Sequence, residues 1–379
     1  MVPLAVRYVA ASAGALLVVT AAASVIGTLI VPRPVASRLT GAVSAAVDAA
    51  FRLAASAVAD YKWRDRVLAA QAPAILLCQL IAWLGIFFVG FSLLLWPFVN
   101  RGIAAAFTTA GPALWEIGSV ATPGAAEKTI EDIASLTGIV TVTLQISYLP
   151  TLYSAFNRRE TEVALLNARA GVPSWGPELL ARTHYALGSG QSTIHTLPNL
   201  YAQWERWAAD VVESHRTYLP LVRFRSPKPL SSWVTSLLAV LDSAALFLAL
   251  APDAAPTVPA RLCLRGGFTC FTEIAQAMGL QVPETADPDA GISLRYEDFL
   301  DAVDRLRKVD FPIERDPDEA WPDFLGWRVN YEQAAYAVAA AVDAVPALWS
   351  GPRRPPTPAI SPLRPPPGKL GKSKSGGTS

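Results

Sequence analysis

The sequence has few charged residues and few of the side chains that most often bind metals. Only 17% of its 379 residues are Asp, Glu, Lys or Arg, whereas about 25% is usual in soluble domains. It has three cysteines and three histidines, without the spacing of a zinc site or a disulfide framework. This composition argues against a disordered protein, a nucleic-acid-binding protein and a soluble secreted domain. We expect no metal and no cofactor.

The sequence also lacks common catalytic motifs. The glycine pair at 266–267 is not followed by the Lys-Ser/Thr pair of a P-loop, and there is no Gly-x-Ser-x-Gly nucleophile motif. The polar residues His195, Glu205, Glu213 and His215 are 10, 8 and 2 positions apart, which does not align them on one helical face. We therefore predict that the protein is not an enzyme.

In place of these features the sequence has long apolar runs. Residues 8–31, 72–99 and 133–157 carry no charge over 24, 28 and 25 positions. A membrane-spanning helix needs about 20 residues, so each run predicts a span, and the first is too long for a cleaved signal peptide. A fourth apolar segment, 233–250, contains Asp242, which would cost about 2.5–3.5 kcal/mol at the bilayer centre. A buried helix of a cytoplasmic domain is the favoured interpretation, and a fourth span is the alternative.

These runs divide the chain into five predicted parts: a first transmembrane helix (1–34), a cytoplasmic interfacial helix with a linker (35–71), a pore-like domain (72–159), a helical cytoplasmic domain (160–350) and a basic, Pro-rich, disordered tail (351–379). The tail has six Lys/Arg, eight prolines and no acidic residue. It predicts a solvated segment or a contact with anionic lipid head groups.

The loops between the runs differ in basic residues. Residues 32–71 contain six Lys/Arg and residues 100–132 contain two, and cytoplasmic loops are the ones enriched in these residues. The bias predicts an N-terminus outside and a C-terminal domain in the cytoplasm of a multi-pass plasma-membrane protein. The helix near 35–60 has apolar residues along one face, which fits an inner-leaflet surface helix or a connector packed on the cytoplasmic domain.

The segment between the second and third runs has an unusual pattern. Residues 102–117 are mostly apolar and long enough for a short helix, and residues 118–124 are small and helix-breaking. Non-helical backbone at membrane depth is tolerated only inside protein or beside water. The pattern therefore predicts a re-entrant, pore-like loop, with an external loop on the membrane surface as the alternative.

Residues 72–159 resemble the pore domain of the two-transmembrane-helix potassium channel superfamily, through this order of helix, half-length helix, small-residue turn and helix. A second set of motifs is Tyr148-Leu-Pro-Thr-Leu-Tyr-Ser-Ala-Phe-Asn-Arg-Arg-Glu160, Arg169-Ala-Gly171, Glu213-Ser-His215, Phe224-Arg-Ser-Pro227 and Leu241-Asp242. Through these motifs, residues 72–349 also resemble a poorly characterised group of channel-like actinobacterial membrane proteins. The first resemblance implies a homotetramer with a central ion pathway.

The predicted filter departs from the Thr-Val-Gly-Tyr-Gly pattern of that superfamily. Ala121 stands where the first filter glycine is found, and Pro123 fixes a backbone angle close by. Potassium selectivity is therefore not carried over. The filter candidates are Gly118, Ser119, Val120, Ala121 and Thr122.

Four further polar residues are candidates near the pore. Glu116, Glu131 and Asp132 lie near the predicted mouth, where acids attract cations, although an acidic pair at a helix start also complements the helix dipole. Gln145 lies within the third run and should face the pore or a helix partner.

The rest of the chain is predicted to be all-α, with helices at 177–187, 197–218, 232–250, 268–278, 294–307 and 317–347, the last kinked near Pro322. The fold class is thus a polytopic, all-helical membrane protein with three spans, a re-entrant loop and a helical cytoplasmic domain. Two functions are compatible with it. One is a tetrameric channel for monovalent cations in the lipid bilayer. The alternative is a non-conducting scaffold or sensor whose cytoplasmic helices bind a partner.

Overall fold

The computed structural model describes residues 3–31, 37–99, 102–115, 124–185, 194–287 and 291–352. All elements in these ranges are helical, which confirms the all-α prediction. Four of the described helical segments are long and apolar enough to cross a membrane, and they indicate a membrane protein. The chain divides into unit 1, residues 1–59 and 66–154, and unit 2, residues 60–65 and 155–379.

Unit 1 contains the first two apolar runs of the sequence and most of the third. Its helices are α1 (Leu4–Leu29), α2 (Arg38–Ser56), α4 (Gln71–Leu95), α5 (Ile103–Leu114) and the first part of α6 (Ala125–Ala170). The short helix α3 (Tyr61–Ala69) precedes α4 and is divided between the two units. The predicted long apolar helices at 8–31, 72–99 and 133–157 are confirmed as helices.

Helices α1 and α4 are antiparallel and approach each other closely at two glycines. A Cβ atom on Gly14 would lie 2.5 Å from the carbonyl oxygen of Gly90, and one on Gly90 would lie 2.8 Å from Val18 Cγ2. Further along, the indole of Trp83 donates a 3.0 Å hydrogen bond to Ser24 Oγ. Small residues that admit a neighbouring backbone are typical of helix pairs in membranes.

Helix α2 packs on the first half of α4 through polar side chains. Gln71 donates a hydrogen bond to Asp48, and Gln79 donates one of 3.3 Å to Ser44. Arg52 also pairs with Asp48 at 2.9 Å. Ser37 caps the start of α2 by accepting from the backbone N–H of Thr40. The buried face of α2 thus contacts α4, and its position at the inner leaflet stays a prediction.

Unit 2 is built around α9 (Trp233–Leu250), in which every residue is buried. Helices α7, α8, α10, α12 and α13 contact it. Apolar residues of these helices cover most of α9, which is the usual arrangement around a buried apolar helix, and Arg328 of α12 pairs with Asp242 of α9. The described helices of unit 2 after α6 are α7 (Gly176–Tyr185), α8 (Leu197–Thr217), α9, α10 (Thr257–Ala277), α11 (Tyr296–Arg307), α12 (Pro317–Arg328) and α13 (Glu332–Ala341), with 3₁₀ turns at Ile194–Thr196 and Leu219–Arg223.

Two predicted helix boundaries in unit 2 are wrong. Helix α10 begins at Thr257 rather than 268, and the glycine pair 266–267 lies inside it. A Cβ on Gly267 would overlap the side chain of Leu241, so glycine is present because α10 packs tightly on α9. The predicted helix 317–347 ends at Arg328 and restarts at Glu332, and Pro322 lies inside the first part.

Candidate functional site

Helix α5 folds back along α4. The turn before it contains Gly102, whose φ of 87° is in the region that favours glycine. The Phe107 ring of α5 meets the Phe88 ring of α4 edge-on at 5.4 Å, and Gly111 also faces Phe88. Phe88 is seven residues from the last residue of α4, which corresponds to about 10 Å of helix. Helix α5 therefore runs back beside the helix that precedes it.

The end of α5 packs against α6 near the start of its apolar run, 133–157. A Cβ on Gly138 of α6 would overlap the carbonyl oxygen of Leu114, the last residue of α5. Gly138 is 13 residues after Ala125, or about 20 Å along the helix. The end of α5, which lies beside Gly138, and the start of α6 at Ala125 are therefore about 20 Å apart along the direction of α6. The filter candidates 118–122 and Glu116 are in the segment between α5 and α6 and lie outside the described residues.

The polar candidates of α6 do not lie on one face. Glu131 and Gln145 are buried at 4% and 5% exposure, on the face that also carries Ala134 and Gly138. Each has one side-chain oxygen, Oε1, without a hydrogen-bond partner. Asp132 is exposed and pairs with Lys128 at 2.8 Å. Glu131 and Gln145 thus face the interior of unit 1.

The opposite face of α6 carries exposed residues that the sequence prediction missed. Four hydroxyl side chains follow one another at spacings of four, four and three residues, which places them along one stripe of the helix: Thr143, Ser147, Thr151 and Ser154. Isoleucines flank this stripe, and Ile146 is 61% exposed. We call the four hydroxyl residues the outer hydroxyl stripe. Its spacing was visible in the sequence, but periodicity alone does not tell which face is exposed.

Among the described residues of unit 2, two arginines are fully buried in polar clusters. Arg159 is fully buried, and its guanidinium donates to the carbonyls of Leu221 at 2.8 Å and Phe224 at 2.7 Å and pairs with Glu160. Its Nη1 also lies 2.9 Å from His215 Nε2. Since arginine can only donate, this histidine nitrogen accepts. Burial and the adjacent guanidinium charge lower the pKa of His215 well below its usual value.

The second cluster surrounds Arg328, which is also fully buried. It pairs with Asp242 of α9 and with Glu332 at 2.6 Å, and it donates to the carbonyl of Trp349 at 2.8 Å. Tyr331 donates a 2.7 Å hydrogen bond to the same Asp242 carboxylate. Burial alone would lower the pKa of Arg328, but the facing Asp242 charge and the neighbouring tyrosines and Glu332 raise it well above its usual value. The cluster joins α9 to the α12–α13 junction.

Neither cluster has the geometry of a catalytic or metal site. Each arginine is enclosed and fully hydrogen-bonded, which suits a structural role. Cys263 and Cys270 are buried, and burial raises the pKa of each thiol, which makes them unreactive. Within the described ranges, no group of three or more His, Cys, Asp or Glu residues could hold a metal ion.

Comparisons with models of protein families, with curated proteins and with solved structures find no match to this chain.

Proposed function

We propose that the protein is a pore-type integral membrane protein that conducts monovalent cations as a homotetramer. The supporting observation is α5, a short apolar helix that runs back beside α4 and ends against Gly138 of α6. A half-length helix followed by a return segment is the arrangement that channels use to bring backbone carbonyls to an ion pathway. The return segment here is residues 116–124.

The proposed topology has three spans, α1, α4 and α6, with the N-terminus outside. Six basic residues at 32–71 against two at 100–132 support it, because basic loops stay in the cytoplasm. We leave α9 out of the proposed spans, and the support is that every residue of α9 is buried and that other helices of unit 2 pack against it. Unit 2 is then a cytoplasmic domain of a plasma-membrane protein.

The proposed pore lining is the outer hydroxyl stripe of α6. A group that lines an axis between copies is exposed on the isolated protomer, and Glu131 and Gln145 are buried within theirs. The stripe is exposed, and hydroxyl groups can contact a column of water between helices. Asp132, which pairs with Lys128 at 2.8 Å, is an exposed acid near the proposed outer end of α6, where acids attract cations.

Cation flux into liposomes that contain the purified protein tests this proposal. A Ser119→Asp variant should change the ratio of sodium to potassium flux, since it alters charge in the proposed filter. A Ser147→Cys variant should lose flux when a charged thiol reagent is added, because Ser147 is in the proposed lining. Ile146→Cys is the matched control: it is the next residue, exposed at 61% but assigned to lipid, and its flux should not change.

The alternative function is a non-conducting scaffold or sensor whose cytoplasmic helices bind a partner. The sequence at 118–124 favours it, because it lacks the paired glycines of a potassium filter. Folded, oligomeric protein without flux at any voltage or pH would support this alternative. The proposed pathway would be contradicted if the three variants had the same flux as the unmodified protein, with or without the thiol reagent.

A further inference from the structure

Unit 2 has an open cleft with a volume of about 430 Å³, which is large enough for a small ligand or a few side chains. It lies between Thr272 near the end of α10, the described residues around 283–287 and 291–293, and the start of α13. We call it the α13 cleft.

The α13 cleft has an acidic lining. Of its three acidic residues in the described lining, Glu284 and Asp287 are exposed and Glu332 is buried. The Glu332 carboxylate accepts from Arg328 at 2.6 Å and from the backbone N–H of Ser293. None of the described lining residues is Lys, Arg or His. Arg328 already balances the charge of Glu332, so the exposed carboxylates of Glu284 and Asp287 are the part of the lining that suits a cationic occupant.

The described part of the chain ends beside this cleft. Tyr336 lines the cleft, and its hydroxyl donates a 3.1 Å hydrogen bond to the carbonyl of Trp349. Gly351 faces the ring of Tyr336, since a Cβ there would lie 3.7 Å from it. The next described residue, Pro352, is the last one. The following 27 residues, 353–379, contain six Lys/Arg and no Asp or Glu.

We propose that the α13 cleft is the docking site for the basic C-terminal segment 353–379 of the same chain. The occupant is identified by charge and by position. An acidic cleft with no basic residue in its described lining lies beside the point at which a segment with only basic charges begins. Arg353 and Arg354 follow Pro352 directly, and two extended residues span about 7 Å.

Docking within one chain does not require strong individual contacts. Exposed ion pairs contribute only about 0.2–1 kcal/mol each. A tethered segment, however, is present at an effective concentration in the millimolar range. Two or three guanidinium or ammonium groups against Glu284 and Asp287 can therefore hold the segment in place, and high salt should release it.

Protease protection in the purified full-length protein tests the proposal. In detergent at low salt, trypsin should cleave slowly after Lys369 and Lys372. The double variant Glu284→Gln, Asp287→Asn should be cleaved about fivefold faster, which corresponds to the loss of about 1 kcal/mol of ionic contact. The matched control is Glu297→Gln, Asp301→Asn on α11, which removes two exposed acids outside the cleft and should leave the rate unchanged.

A second measurement locates the contact. A zero-length carbodiimide reagent joins lysines to carboxylates that touch, so the unmodified protein should give links from Lys369, Lys372 or Lys374 to Glu284 or Asp287. Links spread over all exposed acids would overturn the proposal, as would equal cleavage rates in the two double variants. Protection that appears only in vesicles of anionic lipid, and neither in detergent nor in neutral vesicles, would assign the segment to lipid head groups and also overturn it.

Discussion

Helices α1 and α9 are both long and strongly apolar, yet their surroundings differ completely. In the most apolar 18-residue stretch of α1, 17% of the residues are buried within the protein, whereas all 18 residues of α9 are buried. Length and composition alone would assign both to a membrane. The difference teaches that the neighbours of an apolar helix, rather than its hydropathy, indicate whether lipid or protein covers it.

The contacts within unit 1 and those within unit 2 differ in the same way. Unit 1 depends on close backbone approach, as at Gly14 and Gly90, because lipid offers no hydrophobic drive for helices to associate. Unit 2 buries α9 and also encloses the guanidinium groups of Arg159 and Arg328. Buried charges require complete pairing, so unit 2 should be sensitive to charge and unit 1 to volume.

The largest predicted effect is in unit 2. Arg328→Met should lower the free energy of unfolding by about 3–5 kcal/mol, since it leaves the buried carboxylates of Asp242 and Glu332 without their partner. Denaturant unfolding of the purified protein, followed by tryptophan fluorescence, measures this change. Arg295→Met is the control: its ion pair with Asp298 is largely exposed, so its loss should cost less than about 1 kcal/mol. Equal effects of the two variants would contradict the structural role of the cluster.

The next effect is in unit 1 and depends on volume alone. Gly14→Ala should destabilise the protein by about 1–3 kcal/mol, because its Cβ would lie 2.5 Å from a backbone oxygen of α4. Gly85→Ala is the matched control, since a Cβ there meets nothing within 4 Å. The temperature at which half of the detergent-solubilised protein aggregates should fall for the first variant only. A similar fall for both would mean that α1 and α4 do not pack at Gly14.

The smallest effect concerns pH and returns to unit 2. Because the folded-state pKa of His215 is lowered, its neutral ring contributes stability above the ordinary histidine pKa of about 6.5, and this contribution is lost as the pH falls below it. The loss is at most about 1.4 kcal/mol per pH unit. The glutamine side chain can accept from Arg159 without titrating, so the stability of the native protein relative to His215→Gln should fall between about pH 7 and pH 5.5. A constant difference would contradict the assigned hydrogen bond.

The sequence predicted much of the helical architecture but not the contacts between distant residues. Uncharged runs predicted the long apolar helices, and Asp242 correctly indicated that the segment 233–250 would be buried in protein. The partner of Asp242, however, is Arg328, 86 residues away. No periodic pattern connects these two positions, because the contact depends on how α9 and α12 pack.

Packing also explains the errors. The sequence predicted a helix that begins at 268, but α10 begins at Thr257 and includes the glycine pair 266–267. Gly267 is required there by the close approach of Leu241. In α6, Gln145 was predicted to face the pore or a helix partner, and its burial fits the second alternative. Which side of a helix faces a neighbour depends on residues far away in the sequence.

The most direct test of the contrast between α1 and α9 is the side of the membrane on which each end of α9 is labelled. Lys228 and Asp253 are exposed residues before and after α9. A cysteine introduced at one of these positions at a time can be probed with a membrane-impermeant thiol reagent in sealed vesicles. A cysteine at Leu4 marks the side of the N-terminus, and the protein without added cysteines is the control. We predict that positions 228 and 253 are labelled from the same side, opposite to position 4. Labelling of 228 and 253 from opposite sides would show that α9 crosses the membrane and would contradict this account.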